Sequence, residues 1–294
     1  MEKYMEVERS IHKKFRKELW NRFIEGVQQY NLVQEGDRIA VCISGGKDSM
    51  LLAKLMQQLE RHGDVPIHLE FIVMDPGYSP QNRQHIIDNA ALLHIPIQIF
   101  DSNIFRVAGS TAKSPCYLCA RMRRGHLYQY AQSLGCNKIA LGHHFNDVIE
   151  TTLMGMLYGG QVQTMLPKLH SLNFEGMELI RPLYCVREKD IIAWTRYNGL
   201  EFLGCACSVA ARDAQGDSST RQKVKDLIQT LRRADPQIER NIFRSVQDVN
   251  LATILGYHRG SEHYSFLDDY DRPGAPSREA LAEKESACFQ DQPE

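Results

Sequence analysis

Residues 38–49 read RIAVCISGGKDS, and this stretch decides the fold. A β-branched, apolar run from Ile39 to Ile43 stops abruptly at Ser44-Gly45-Gly46-Lys47-Asp48-Ser49, and an amphipathic run, MLLAKLMQQLERH, follows. The pattern predicts a buried strand, a tight glycine turn and a helix whose N-terminus faces whatever occupies the turn. Two glycines let the backbone approach a phosphate closely, and the helix N-terminus and Lys47 add positive potential there. The string is not a P-loop of the GxxxxGK[ST] type, because Val41 stands where that motif needs its first glycine, and the chain has no GxGxxG.

Outward from this loop, strands alternate with helices. HLEFIVMD (68–75) reads as a second strand ending in Asp75, residues 79–93 as a helix, IPIQIF (95–100) as a third strand and 116–134 as a helix. NKIALG (137–142) gives a fourth strand, 145–158 a helix, 179–183 a fifth strand and 187–198 a helix, with 159–178 irregular between them. Such alternation predicts an α/β fold: a Rossmann-like parallel sheet with helices on both faces, and helical additions at both ends (5–30; 219–233 and 236–251). Ligands of open α/β sheets sit at the strand C-terminal ends. Ser44, Asp75 and Gly142-His143-His144 all fall there, so Ser44–Ser49, Asp75, Gly142 and His143 are the candidate nucleotide contacts. Asp48 and Asp147 are candidates for holding magnesium on a triphosphate, since Mg²⁺ binds through few carboxylates plus phosphate oxygens.

The expected units are an N-terminal helical segment (1–34), the α/β domain (35–205), a helical extension (206–257) and an acidic tail (258–294) without apolar periodicity, expected to be mobile or weakly docked.

Eight cysteines occur in a chain whose N-terminus, MEKYMEVERS, carries no secretory pattern, so thiols rather than disulfides are expected, and the expected location is cytoplasmic. Cys116 and Cys119 open a helix and share one of its faces, so both sulfurs can reach one centre. A helix N-terminus with Arg121, Arg123 and Arg124 close by in sequence favours thiolate. The third and fourth candidates are Cys205 and Cys207. Four thiolates suit structural zinc and three suit an iron–sulfur cluster with one open iron. Cys42, Cys136 and Cys185 read as core, and Cys288 as an exposed tail residue.

Four features in this order (SGGKDS, CxxC followed by RMRRG, LGHHxxD, and a late cysteine) resemble the tRNA 2-thiocytidine synthetase branch of the PP-loop ATP pyrophosphatases. EGDR (35–38), YGG (158–160), PKL (167–169), IRPL (180–183) and REKD (187–190) add to the match. The resemblance spans residues 20 to 250. It implies an ATP-pyrophosphatase fold of the HUP type, a homodimer, and a [4Fe–4S] cluster on Cys116, Cys119 and Cys205, with Cys207 the alternative third ligand. It further implies that ATP and Mg²⁺ adenylate C2 of a cytidine in a tRNA anticodon loop, and that sulfur from a cysteine desulfurase or sulfide replaces the oxygen. Asp48, Asp147 and the three cysteines would be catalytic, and Arg121, Arg123 and Arg124 would meet RNA. Two positions depart from the family pattern: Asn146 stands where the family carries a second acidic residue, and the late cysteines are spaced CxC instead of CxxC. A PP-loop enzyme adenylating another acceptor, as lysidine synthetases do, and a nucleotide-binding redox or metal sensor are the rival readings.

The remaining composition is permissive. Hydrophobic residues make up 43% and charged residues 24% of 294, ordinary for a globular protein. Net charge is −1, but residues 261–294 carry nine acidic against three basic side chains, leaving the body near +5 and open to a polyanion partner. No apolar run is long enough to span a membrane, and no membrane partner is expected.

Overall fold

The computed structural model describes residues 2–102, 115–204, 220–268 and 270–271, with the backbone alone at 115–123. Strand β1 (Arg38–Ile43) is followed by α3 (Lys47–His62), as the opening stretch requires. Around it run β2 (His68–Asp75), α4 (Pro80–Leu92), β3 (Ile97–Asp101), α5 (Pro115–Ser133), β4 (Lys138–Ala140) and α6 (Phe145–Gly159). Next come β5 (Lys168–His170), β6 (Glu178–Ile180), α7 (Glu188–Tyr197), α8 (Thr220–Ala234) and α9 (Ile238–Ser245). The N-terminal segment is α1 (Lys3–His12), a π-turn (Arg16–Trp20) and α2 (Asn21–Gln29), so the expected single helix is broken.

Strand order is β3-β2-β1-β4-β6-β5. The first five are parallel, and β5 pairs antiparallel on the edge of β6. β5 lies in the stretch expected to be irregular: three residues between glycines carry too short a period to show in sequence. The chain leaves β1 towards β2 and β3, then returns to β1's other side as β4. The crevice between the C-terminal ends of β1 and β4 is therefore the topological switch point, where open α/β sheets bind ligands.

Alternation along β1 sends its side chains to two cores. Ile39, Val41 and Ile43 join Leu51 and Leu55 of α3, Ile11 and Phe23 of the N-terminal helices, and Trp194 of α7 on one face. Ala40 and Cys42 join Tyr128 and Ala131 of α5 on the other. Helices thus cover both faces, which is why β1 reads as a continuous apolar run. A third cluster, Phe145 and Ile149 with Val224 and Ile228, packs α8 on α6 and brings its basic row to the strand ends. Two buried ion pairs fix the frame: Lys54 to Glu8 at 2.6 Å, and Lys138 to Asp37 at 2.7 Å.

Residues 2–243 form one compact unit and 244–271 belong to a second. Within the second, β7 (Gly256–Arg259) and β8 (Glu262–Ser265) form an antiparallel hairpin with Tyr257 stacked on Tyr264. Its strands lie largely in the stretch expected to be a mobile or weakly docked tail. Among the described residues no helix is long and apolar enough to cross a membrane.

Candidate active site

The loop after β1 is built to leave backbone N–H groups open. Gly45 has φ +84°, and a Cβ there would sit 2.7 Å from Ile86 Cγ1, so glycine is required. Gly46 caps α3 with no side-chain hydrogen bond, so the first N–H groups of that helix are not consumed by a cap. Ser49 pins the turn from inside: its Oγ accepts from Ser44 N at 3.1 Å and donates to the Gly46 carbonyl at 2.9 Å. The end of β4 abuts this turn so tightly that a Cβ on Gly142 would lie 3.2 Å from the Ser49 nitrogen.

Three of the predicted acids have different fates. Asp75 Oδ1 accepts from Gly77 N (2.8 Å) and Tyr78 N (2.7 Å), and its Oδ2 accepts from Arg83 (2.6 Å). Burial alone would raise its pKa, but the Tyr78 and Gly77 N–H groups and Arg83 outweigh it and hold the carboxyl below the usual range. Asp147 closes a capping box on α6, its Oδ2 accepting from His144 N at 2.9 Å. Asp48 Oδ2 takes Lys47 Nζ at 3.1 Å, while its Oδ1 is buried with no hydrogen-bond partner. His144 Nε2 stands 3.8 Å from that oxygen.

Acidic and basic side chains alternate around the site, and His144, whose Nδ1 accepts from the Asp147 N–H, completes the ring between Asp147 and Asp48. Lys47 pairs with Asp48 and with Glu188 (3.1 Å), Glu188 with Lys225 (3.1 Å), and Lys225 with Glu150 (3.7 Å). Arg221 lies 3.5 Å from Glu150 and 3.4 Å from Asp147, and Asp147 returns through His144 (3.4 Å) to Asp48. Burial opposes the Lys47 charge, yet Asp48 and Glu188 overcome it and raise its pKa. Glu150 goes the other way: burial, helped by nearby Asp147 and Glu188, pushes it up to about 7 despite Lys225 and Arg221. Asn146 Oδ1 accepts from the Glu188 N–H at 3.0 Å.

Beside the ring a cleft of about 470 Å³ opens at the switch point, its wall including Ser44, Asp48, Met74, Tyr78, His143 and Arg181. His143 Nδ1 is buried without a partner, and burial, then the Arg181 charge, push its pKa down to about 4, so the ring is neutral near pH 7. An apolar wall with a few unpartnered polar atoms suits a purine and its phosphates.

Of the predicted residues, the structure gathers Ser44–Ser49, Gly142, His143 and Asp147 into one place, with Asp75 turned into a neighbouring turn. Cys116, Cys119, Arg121 and Arg123 lie on α5, where their side chains are outside the described residues, and Cys205 and Cys207 also fall outside them. Described residues next to the two cysteine segments lie near the loop after β1. Arg124 and Leu127 of α5 line the cleft, and Leu203 N donates to the Gly45 carbonyl at 3.1 Å, two residues before Cys205. Cys42, Cys136 and Cys185 are free thiols inside or at the edge of the core, raised by burial, as expected of packing residues. Glu150, Arg181, Glu188, Arg221 and Lys225 were not singled out as site residues. Their elements cross to the switch point only in the folded sheet, and the sequence signal available was the string REKD and the basic row of α8.

A magnesium–ATP complex fits these residues on three counts: the orphan Asp48 Oδ1, the open α3 N-terminus, and glycines that a Cβ would fill. For an iron–sulfur cluster the test is the donor set: positions 116 and 119 fall three apart on the α5 backbone, and Cys205 follows in sequence two residues after Leu203, which is bonded to Gly45; three cysteines suit three-thiolate ligation.

The PP-loop domain matches residues 9–206. A tRNA-cytidine(32) 2-sulfurtransferase of Geobacter metallireducens is 35% identical over 248 residues, covering 83% of this chain and 93% of the relative. One from Alcanivorax borkumensis is 32% identical, covering 80% and 82%. Among solved structures, the U34-tRNA thiolase NcsA from Methanococcus maripaludis with its [4Fe-4S] cluster superposes with a TM-score of 0.61 at 19% identity, covering 77% of this chain and 76% of that one, which supports the fold.

Proposed function

Because this chain belongs to the PP-loop tRNA-cytidine 2-sulfurtransferase family, we propose that it uses ATP to exchange the C2 oxygen of a tRNA cytidine for sulfur. The acceptor is a cytidine of the anticodon loop, where unstacked bases can be read by stacking and edge contacts. The C2 oxygen attacks the α-phosphorus of ATP, and the bond to pyrophosphate breaks. A sulfur nucleophile then attacks C2, the C2–O bond breaks, and AMP leaves carrying the original oxygen.

The residues divide the work. Ser44–Ser49 cradle the triphosphate, with the N–H groups of α3 and the Lys47 ammonium meeting charge as it builds on the departing pyrophosphate. Neutral His143 and Gly142 border the nucleotide, and Asp75 shapes the turn after β2 that closes one side of the cleft. Asp48 and Asp147 would hold magnesium, which supplies neutralisation of the phosphate oxygens. Cys116, Cys119 and Cys205, with Cys207 the alternative, would hold a [4Fe–4S] cluster, which supplies a carrier for sulfur. Arg121, Arg123 and Arg124 follow the first two cysteines and would meet RNA phosphates.

One observation supports this reading: described residues next to both cysteine segments lie beside the ATP loop, Arg124 in the wall of its cleft and Leu203 through a hydrogen bond to the Gly45 carbonyl. Activation and sulfur delivery therefore meet at one base. The sulfur comes from a cysteine desulfurase or sulfide, and the protein works in the cytoplasm. A homodimer is proposed as well; Leu157, Tyr158, Val162 and Leu166 present exposed apolar surface of the kind that protein partners cover.

Incubating anaerobically purified protein with Mg–ATP, sulfide and tRNA from a strain lacking the enzyme tests the proposal. Equal amounts of pyrophosphate and 2-thiocytidine are expected by phosphate assay and nucleoside mass spectrometry. Pyrophosphate without thiocytidine would instead indicate another acceptor chemistry.

A further inference from the structure

Lys47 is held from two sides. Asp48, its neighbour in sequence, takes its Nζ at 3.1 Å, and Glu188, 141 residues away on α7, takes it at 3.1 Å. An ammonium has three donors, so one remains for phosphate. The two partners differ in what else they face. Asp48, which lines the cleft, has a second oxygen without a hydrogen-bond partner. Glu188 has none to spare: Oε1 serves Lys47 and Oε2 serves Lys225 Nζ at 3.1 Å, and its backbone N–H is fixed by Asn146 at 3.0 Å. Once Asp48 turns to a metal, Glu188 is the partner that still aims the lysine.

We propose that Glu188 is the positioning residue of the adenylation step, aiming Lys47 at the triphosphate while Asn146 and Lys225 hold Glu188 in place. The proposal rests on the adenylation reading above. Its logic is that of a lysine kept on ATP phosphates by a glutamate from a neighbouring helix, an ion pair whose formation controls phosphoryl transfer in protein kinases. A free lysine samples many rotamers, and an ion pair made in advance removes part of that entropy cost from the binding step.

The same arrangement assigns Asn146, the position where the family pattern carries an acid. Its amide oxygen supplies the acceptor for the Glu188 N–H without adding a fourth carboxylate beside Asp147, Glu150 and Glu188. Lys225 belongs to the helix that begins directly after the segment holding Cys205 and Cys207. Helix α8 and the phosphate loop thus share one carboxylate.

A double-mutant cycle on the full chain tests the proposal, using Lys47→Met, Glu188→Ala and both together. Two quantities are read: the Kd for Mg²⁺ with α,β-methylene ATP by calorimetry, and kcat for tRNA-dependent pyrophosphate release. In the native background Glu188→Ala is expected to lower kcat about thirtyfold and weaken the analogue about threefold, the split expected of an interaction tightened in the transition state. In the Lys47→Met background both changes shrink below about twofold, because Glu188 acts only through Lys47. Glu188→Gln keeps the shape and an acceptor and guards against misfolding; it should fall between, about fivefold in kcat. Equal factors in both backgrounds, or no change in the native one, overturn the proposal. A native chain that binds the analogue but never releases pyrophosphate defeats the adenylation reading instead, and the Kd cycle then decides the positioning role alone.

Discussion

Asp75 at the end of β2 and Asp48 in the first turn of α3 lie at the same end of the sheet, and their carboxylates are treated in opposite ways. Asp75 is saturated: two backbone N–H groups and Arg83 use both its oxygens, and it is nearly buried. Asp48 is left incomplete, with one oxygen on Lys47 and the other buried without a hydrogen bond. A buried, unpartnered carboxylate oxygen costs free energy unless something else meets it. The difference separates two roles that look alike in sequence, where both aspartates follow an apolar strand. Asp75 builds the turn that shapes the cleft, and Asp48 keeps one oxygen without a hydrogen bond, as its proposed metal-holding role requires.

Substitution can break this comparison in either direction. Asp48→Asn should lower tRNA-dependent pyrophosphate release at least about a hundredfold, since it removes a charge that acts on the reacting phosphates, while leaving the melting temperature within a few degrees. Asp75→Ala should do the reverse. Losing the acceptor for two N–H groups and the partner of Arg83 should cost about 2–3 kcal/mol in denaturant unfolding, with a smaller loss of activity. Gly142→Ala sharpens the point that the β4 end sets the loop. Its Cβ would press on the Asp48 and Ser49 backbone at 3.2–3.3 Å, shifting the loop by tenths of an ångström and raising the KM for ATP about fivefold.

The smallest effect concerns pH, where two buried groups oppose each other. His143 has a pKa of about 4 in the fold against an ordinary 6.5, so the unfolded chain protonates first, and the stability present above pH 6.5 is lost as pH falls towards 4. Glu150 is raised from 4.5 to about 7, so its contribution is present below pH 4.5 and lost as pH rises through 7. Between roughly pH 4.5 and 6.5 the two slopes have opposite sign, and the native chain should show a nearly flat profile there. Glu150→Gln should expose a stability that rises with pH across that window, and His143→Gln one that falls, both by urea unfolding at a series of pH values.

The sheet was legible from sequence because its strands are either continuous apolar runs or end in glycine and aspartate, and the loop at 44–49 announces its own turn. β5 and the β7–β8 hairpin were not. Strands of three or four residues carry almost no periodicity, and every hairpin residue is exposed, so no buried face marks it. The site divides in the same way. Ser44–Ser49, Gly142, His143 and Asp147 sit beside strand ends and could be read from local pattern. Glu188, Lys225 and Arg221 owe their place to long-range packing of α7 and α8, and no local motif encodes a partner 141 residues away. Asp75 could be placed at the site edge from sequence, but that Gly77, Tyr78 and Arg83 fill its oxygens is visible only once the turn is folded.

The central claim is that the base oxygen itself is adenylated and then expelled. Transfer RNA carrying a heavy-oxygen label at C2 of the acceptor cytidine, incubated with the protein, Mg–ATP and a sulfur source, tests it most directly by mass spectrometry of the nucleotide products. The label is expected in the phosphate of AMP, one per thiocytidine formed. Thiocytidine formed alongside unlabelled AMP would contradict it.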